Sequence, residues 1–173
     1  MVMWLSKLKF IGLCLATLVF TQVAADLHAA TTGDPADQGV LLRLVGPSGE
    51  ERQLTMADLD ALPQHSFTTG TLWTSGPKLY SGPSLHDTLA LVGMTDESSV
   101  IAVAANDYRV DFKPGAIESD VPIIATRIDG QLYGLRERGP LWIIYPFDSN
   151  IRFQTEVAYS QSIWQLVELH VSR

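Results

Sequence analysis

The sequence predicts an α+β fold, a mixed and largely antiparallel β-sheet with a few short helices. Three observations carry that reading. Short runs that are either alternating or wholly apolar recur from Val40 to Val171, divided by Gly, Pro, Asn and Asp, as in a chain of many short strands. Only two stretches, beginning near Thr55 and near Ser81, join a start signal to helical spacing. Neither alternates regularly with the strands, which excludes a parallel sheet built from βαβ units.

Val40 to Val45 alternates around Arg43 and meets the turn cluster Gly46-Pro47-Ser48-Gly49, and Glu50 to Leu54 then returns as the second strand of a hairpin. Thr55 caps a short helix with Asp58 at its third position, Met56, Leu59 and Leu62 share one face, and Pro63 ends it. His65 to Thr74, rich in Thr, Phe and Trp, reads as a strand running into the loop Ser75-Gly76-Pro77. Ser81-Gly82-Pro83-Ser84 opens a helix through Val92, with Leu85, Leu89 and Val92 on one face and Gly93 as its stop.

Ser99 to Ala104 is a small apolar strand, turned at Asn106-Asp107 into Tyr108 to Phe112. Pro114 to Asp120 reads as loop or a single helical turn. Val121 to Ile128 is an apolar strand, Asp129-Gly130 a hairpin turn, and Gln131 to Leu135 the return. Leu141 to Pro146 is apolar throughout and bounded by turn signals, a pattern shared by a buried helix and a strand buried on both faces. Its aromatic and β-branched content favours the strand. Polar residues stand at its edges: Arg136 and Arg138 before it, Tyr145 within it, Asp148 after it. Ile151 to Tyr159 fits helix and extended chain equally. Ser162 to Val171 reads as a final strand, with Ile163, Gln165, Val167, Leu169 and Val171 on one face and Trp164, Leu166, Glu168 and His170 on the other.

Of the 173 residues, 46% are hydrophobic, enough for one domain with a real core. Residues 1–25 read as a signal peptide: Lys7 and Lys9, an apolar stretch from Phe10 to Phe20, then Val23-Ala24-Ala25 as a small-residue cleavage site. Cleavage near Ala30 and an uncleaved N-terminal anchor are the alternatives. Residues 26–39 read as a flexible leader and residues 40–173 as the secreted domain. Removing Lys7 and Lys9 with no acid makes the balance more negative than the −7 of the whole chain. That charge argues against nucleic acid or anionic lipid as a partner.

The one cysteine, Cys14, falls in the signal segment, leaving the domain without disulfide, thiolate nucleophile or cysteine metal ligand. His28, His65, His86 and His170 are scattered and match no metal spacing. Gly46-Pro47-Ser48-Gly49 lacks the spacing of a nucleophile elbow, and no phosphate-binding glycine motif occurs. Nothing pairs two carboxylates for acid–base work.

The order of LTMADLDALP (54–63), YSGPSLHDTLALVGM (80–94), ANDYRVDF (105–112), IIATRIDGQLYGLRERGPLWIIYP (123–146) and SIWQLVELHV (162–171) resembles the molybdopterin-binding domain of the sulfite oxidase superfamily. The resemblance spans roughly residues 40–171 and rests on order and spacing more than on any single motif. It implies that superfamily's fold. In catalytic members the strand matching Thr68–Thr74 ends in a cysteine that ligates molybdenum, followed by a Gly-Asn-Arg type loop. Here the place reads Gly70-Thr71-Leu72-Trp73-Thr74-Ser75-Gly76, with Thr74 near the cysteine position and the Asn-Arg element missing. A neutral hydroxyl is a poor ligand for a high-valent metal beside a thiolate.

The chain therefore looks most like small, cysteine-free, secreted members that resemble periplasmic pterin-binding regulators of inner-membrane enzymes making or degrading cyclic di-GMP. The cofactor implied is a reduced pterin or molybdopterin-like molecule. The partner implied is the periplasmic region of an inner-membrane signalling protein. A molybdenum cofactor-dependent oxidoreductase performing oxygen-atom transfer is the alternative, and a structural accessory of a membrane complex a weaker third. A flat, hydrogen-bonding heterocycle needs an aromatic platform and fixed polar groups. Trp73 and Trp164 are the stacking candidates, and both also fit a core role. Tyr108, Tyr145, Arg136 and Arg138 are candidate hydrogen-bonding groups. Asp107 is the candidate acceptor for the pyrimidine amine, unless it only fills a turn. Thr74, Ser160 and Ser162 complete the set by their places in the resemblance.

Overall fold

The computed structural model describes residues 39–173, and the stretches read as signal peptide (1–25) and leader (26–39), apart from residue 39, lie outside the described residues. The fold is α+β, with mostly antiparallel strands and, among the described residues, three short helices. The first hairpin is β1 (Leu42–Val45) with β2 (Glu51–Leu54). Helix α1 (Met56–Asp60) carries a complete capping box: Thr55 Oγ1 accepts from Asp58 N while Thr55 N donates to the Asp58 carboxylate at 2.8 Å.

Next come β3 (Gln64–Thr69), β4 (Lys78–Pro83) and α2 (Leu85–Ala90), capped by Ser84. Here the structure departs from the sequence reading. The Thr-rich strand stops at Thr69, and residues 78–83, read in part as the opening of a helix, form β4. The reason is Gly82. A Cβ there would stand 2.0 Å from Ile124 O, so the glycine marks a close backbone crossing rather than a turn.

β5 (Ser99–Ala104) and β6 (Arg109–Phe112) form the expected hairpin. The single strand expected from Val121 to Ile128 is broken into β7 (Ile123–Ala125) and β8 (Arg127–Ile128), and β8 turns through Asp129-Gly130 into β9 (Gln131–Leu132). Both turn residues have positive φ, 51° and 77°, as a two-residue hairpin requires. β10 (Trp142–Ile144) lies inside Leu141–Phe147, every residue of which is buried. The stretch 151–159 resolves as a 3-10 turn, Ile151–Phe153, and helix α3 (Glu156–Gln161). The final strand is β11 (Leu166–Ser172), shorter than expected. A register shift between Leu166 and Glu168 turns Val167 outward, so Leu166, Leu169 and Val171 share the buried side.

The largest sheet runs β2-β1-β11-β5-β6, with β1 parallel to β11 and the other pairs antiparallel. A second sheet runs β3-β4-β8-β9, and β10 pairs with β7. One core joins Leu42, Leu44 and Leu169 of the large sheet to Ile123, Ile124 and Trp142 of the β7–β10 pair, with Leu85 and Leu89 from α2. Among the described residues no helix is long and apolar enough to cross a membrane.

Candidate functional site

Two segments converge beside β10: the loop 70–77 after β3, and the stretch 159–164 that links α3 to β11. The loop is pinned at its start. Gly70 N donates to Asp148 Oδ2 at 2.6 Å, and Asp148 N donates to the buried Thr69 Oγ1 at 3.0 Å. Within the loop, Trp73 N donates to Thr71 Oγ1 at 3.1 Å, and the hydroxyls of Thr71 and Thr74 are 2.8 Å apart. These short-range bonds hold the Trp73 indole against four other rings. Its centroid lies 5.6 Å from Trp164, 5.8 Å from Trp142, 6.2 Å from Tyr159 and 6.5 Å from Phe147, all edge-to-face.

The stretch 159–164 is fixed from beneath. Trp142 Nε1 donates to Ser162 O at 3.1 Å, Ile143 N donates to Ile163 O at 2.9 Å, and Ser162 Oγ donates to Ala158 O at 2.9 Å. Trp142 is fully buried, so its ring serves as the floor on which Trp73 and Trp164 rest.

Above that floor is a cavity of about 410 Å³, within the usual size range of small-molecule sites. Trp73, Trp164, Tyr108 and Tyr159 supply four aromatic walls, and Asn106, Ser160 and Ser162 supply polar groups. The lining carries no formal charge. Asn106 Oδ1 accepts from Tyr108 N at 3.2 Å, which leaves the carboxamide nitrogen as the donor it can offer. Both serine hydroxyls donate to backbone carbonyls and so face a ligand as acceptors.

Five of the ten residues singled out from the sequence line this cavity: Trp73, Tyr108, Ser160, Ser162 and Trp164. The other five lie outside its lining. Asp107 is exposed at the β5–β6 turn with φ of 64°, the conformation that a turn Asp tolerates. Thr74 points its hydroxyl at Thr71 and, at 3.5 Å, at the buried Tyr80 hydroxyl. Burial raises the Tyr80 pKa above that of a free phenol, opposed by the hydroxyls of Thr74 and Thr71. Tyr145 is buried with its hydroxyl donating to Gln161 Oε1 at 2.8 Å, and burial pushes its pKa up. Arg136 is exposed in the 3-10 turn Leu135–Glu137. Arg138 stacks its guanidinium on the Trp142 and Trp164 rings, 5.7 and 5.6 Å from their centroids. Asn106 and Tyr159 were not singled out. The first looked like a turn residue, and the second lay in a stretch without a clear period.

A second cavity of about 280 Å³ lies on the other side of the loop, lined by Gly70, Thr71, Leu72, Asp148, Gln154 and Tyr159 among others. Tyr159 borders both cavities. No Lys, Arg or His lines either one.

The donor set does not fit a molybdenum centre ligated by a thiolate. The chain's one cysteine is Cys14, far from this loop in sequence, and the Thr74 hydroxyl is bonded elsewhere. Among the described residues no three His, Cys, Asp or Glu side chains gather as a metal site. A flat, uncharged heterocycle does fit four aromatic walls with neutral donors and acceptors.

No family model and no curated protein match the sequence. Among solved structures, the chain is similar to the sulfane dehydrogenase SoxCD from Paracoccus pantotrophus, with a TM-score of 0.59 and 17% identity over 81% of this chain and 40% of that one. The chain thus spans less than half of that protein. At this identity the likeness carries the fold alone: the chain shares its α+β architecture with part of that structure.

Proposed function

We propose that this chain is a periplasmic pterin-binding protein that senses its ligand and regulates an inner-membrane enzyme of cyclic di-GMP metabolism. One observation carries the ligand class. Where catalytic relatives in the resemblance place a metal-binding cysteine, this chain has Thr74, and the neighbouring Trp73 walls an uncharged aromatic cavity of about 410 Å³. A pterin ring stacks on indole and phenol faces and satisfies its polar edge with Asn106, Ser160 and Ser162. The N-terminal signal-peptide pattern supports the location, and the partner rests on the resemblance to small secreted regulators. Chemistry at a metal is not part of this function.

Anaerobic calorimetric titration with reduced pterins tests it. Wild-type protein binds, and Trp73→Ala weakens binding at least about tenfold, about 1.4 kcal/mol, while keeping the wild-type circular dichroism spectrum. Absence of binding by any reduced pterin, or one molybdenum per chain in protein isolated from its native periplasm, overturns the proposal. Capture of a membrane partner that depends on added pterin checks the regulatory half.

A further inference from the structure

The second cavity has a chemistry opposite in kind to the first. Its one charged lining residue is Asp148, and one oxygen of that carboxylate is already used: Oδ2 accepts from Gly70 N at 2.6 Å. Among the described residues Oδ1 accepts no hydrogen bond. Gln154 donates its amide nitrogen to Phe147 O at 3.0 Å, which leaves Oε1 as a second acceptor on the same wall. The cavity therefore offers acceptors and a negative charge.

The two cavities meet at a shared partition. Tyr159 lines both, its ring stacks on Phe147 at 4.7 Å, and the Trp73 ring stands 6.2 Å away across the loop. Trp73 faces the aromatic cavity, while Thr71 and Leu72 of the same loop face the other. Tyr159 thus forms part of the wall of both cavities, which places them side by side.

We infer that this cavity is a second subsite for the same ligand, taking a substituent that carries hydroxyl or amine donors and rejecting one that carries phosphate. The inference rests on the pterin reading and extends it to the substituent. A hydroxylated tail donates to Asp148 Oδ1 and Gln154 Oε1, a charge-assisted contact stronger than a neutral one. A phosphate brings a second anion against the carboxylate, with no Lys, Arg or His in either lining to neutralise it. The site is thereby selective for the dephosphorylated, tailed pterin.

Three probes separate the possibilities: dihydroneopterin, its monophosphate ester, and a methyl-dihydropterin lacking the hydroxylated tail. Each is titrated anaerobically into the intact protein and into Asp148→Asn. The asparagine keeps a side-chain oxygen for Gly70 N, so the loop anchor survives. In wild type, dihydroneopterin binds at least about tenfold tighter than either other probe. In Asp148→Asn, the preference for the tailed over the tail-less probe falls to about threefold or less. Ratios between ligands within one variant cancel any loss of folded protein. Equal affinity for tailed and tail-less probes in wild type overturns the subsite while leaving the pterin reading intact. A preference that survives Asp148→Asn, or a monophosphate that binds as tightly as its parent, does the same. Failure of all three probes to bind overturns both.

Discussion

Tyr145 illustrates how a residue type that suits a binding site can serve the scaffold instead. Its hydroxyl donates to Gln161 Oε1 at 2.8 Å, and Gln161 Nε2 donates onward to Asp111 O at 2.9 Å, tying the segment after β10 to the end of α3 and to β6. Both side chains are buried, so Tyr145→Phe leaves the Gln161 carbonyl without its donor. The expected loss is about 1–3 kcal/mol, read from urea denaturation, with pterin affinity changed less than about threefold because the hydroxyl lies outside the cavity. A tenfold loss of affinity at full folding would instead make Tyr145 part of the site. The sequence could not separate these roles, since the partner of Tyr145 lies 16 residues away in a stretch without clear periodicity. Trp73 was more legible. An indole beside a Gly-Pro loop, at the end of a strand, has few ways to be wholly buried, and Trp73 is only partly buried at the cavity wall. Asp107 reads from the sequence both as an acceptor for the pyrimidine amine and as a turn residue, and the structure places it at an exposed hairpin with positive φ, outside the cavity lining.

At the scale of elements, strands with a turn on each side and helices with caps could be read locally, and crossings could not. The Thr55–Asp58 capping box, the Asp129-Gly130 turn and the Leu141–Pro146 run depend on neighbours in sequence, and all three form as expected. β4 was misread because Ser81-Gly82-Pro83-Ser84 carries turn-type residues whose purpose lies across the sheet. Gly82 leaves room for Ile124 O, and Ser81 O accepts from Thr126 N at 2.9 Å. The bulge in β11 is of the same kind, since its register is set by β5. Gly82→Ala tests the crossing. A methyl group 2.0 Å from a backbone oxygen forces β4 and β7 apart, and the expected cost is about 1–3 kcal/mol in denaturant midpoint analysis. Gly115→Ala, where a Cβ would meet nothing but φ is 73°, gives the strain of positive φ without overpacking and is the matched control. A Gly82→Ala protein as stable as wild type would mean that the two strands can separate freely.

On the scale of the whole molecule, acid brings two effects into conflict. The chain carries a net charge of −7 and a pI near 4.9, so acidification from neutrality first relieves repulsion among its carboxylates. Several of those carboxylates, however, are held ionised by the fold. Lys78, followed by the Leu79 backbone N–H, lowers the pKa of Asp129; the Thr55 hydroxyl and N–H lower that of Asp58; and the Arg43 guanidinium lowers that of Glu51. A carboxylate whose folded pKa lies below its unfolded value contributes stability that is complete above the unfolded pKa and disappears as pH falls through the folded one. Stability should therefore hold or rise slightly from pH 7 toward the pI, then fall below about pH 4, where the unfolded chain takes up protons more readily than the folded one. Asp129→Asn removes one contributor. Its melting temperature should lie below wild type at neutral pH, and the gap should close as pH is lowered through the acid limb. All three pairs are exposed, so the gap should also shrink in high salt. Thermal melts of both proteins across pH, at low and high ionic strength, measure this directly. A gap that stays constant into strong acid would show that Asp129 acts through the shape of the β8–β9 turn and not through its charge.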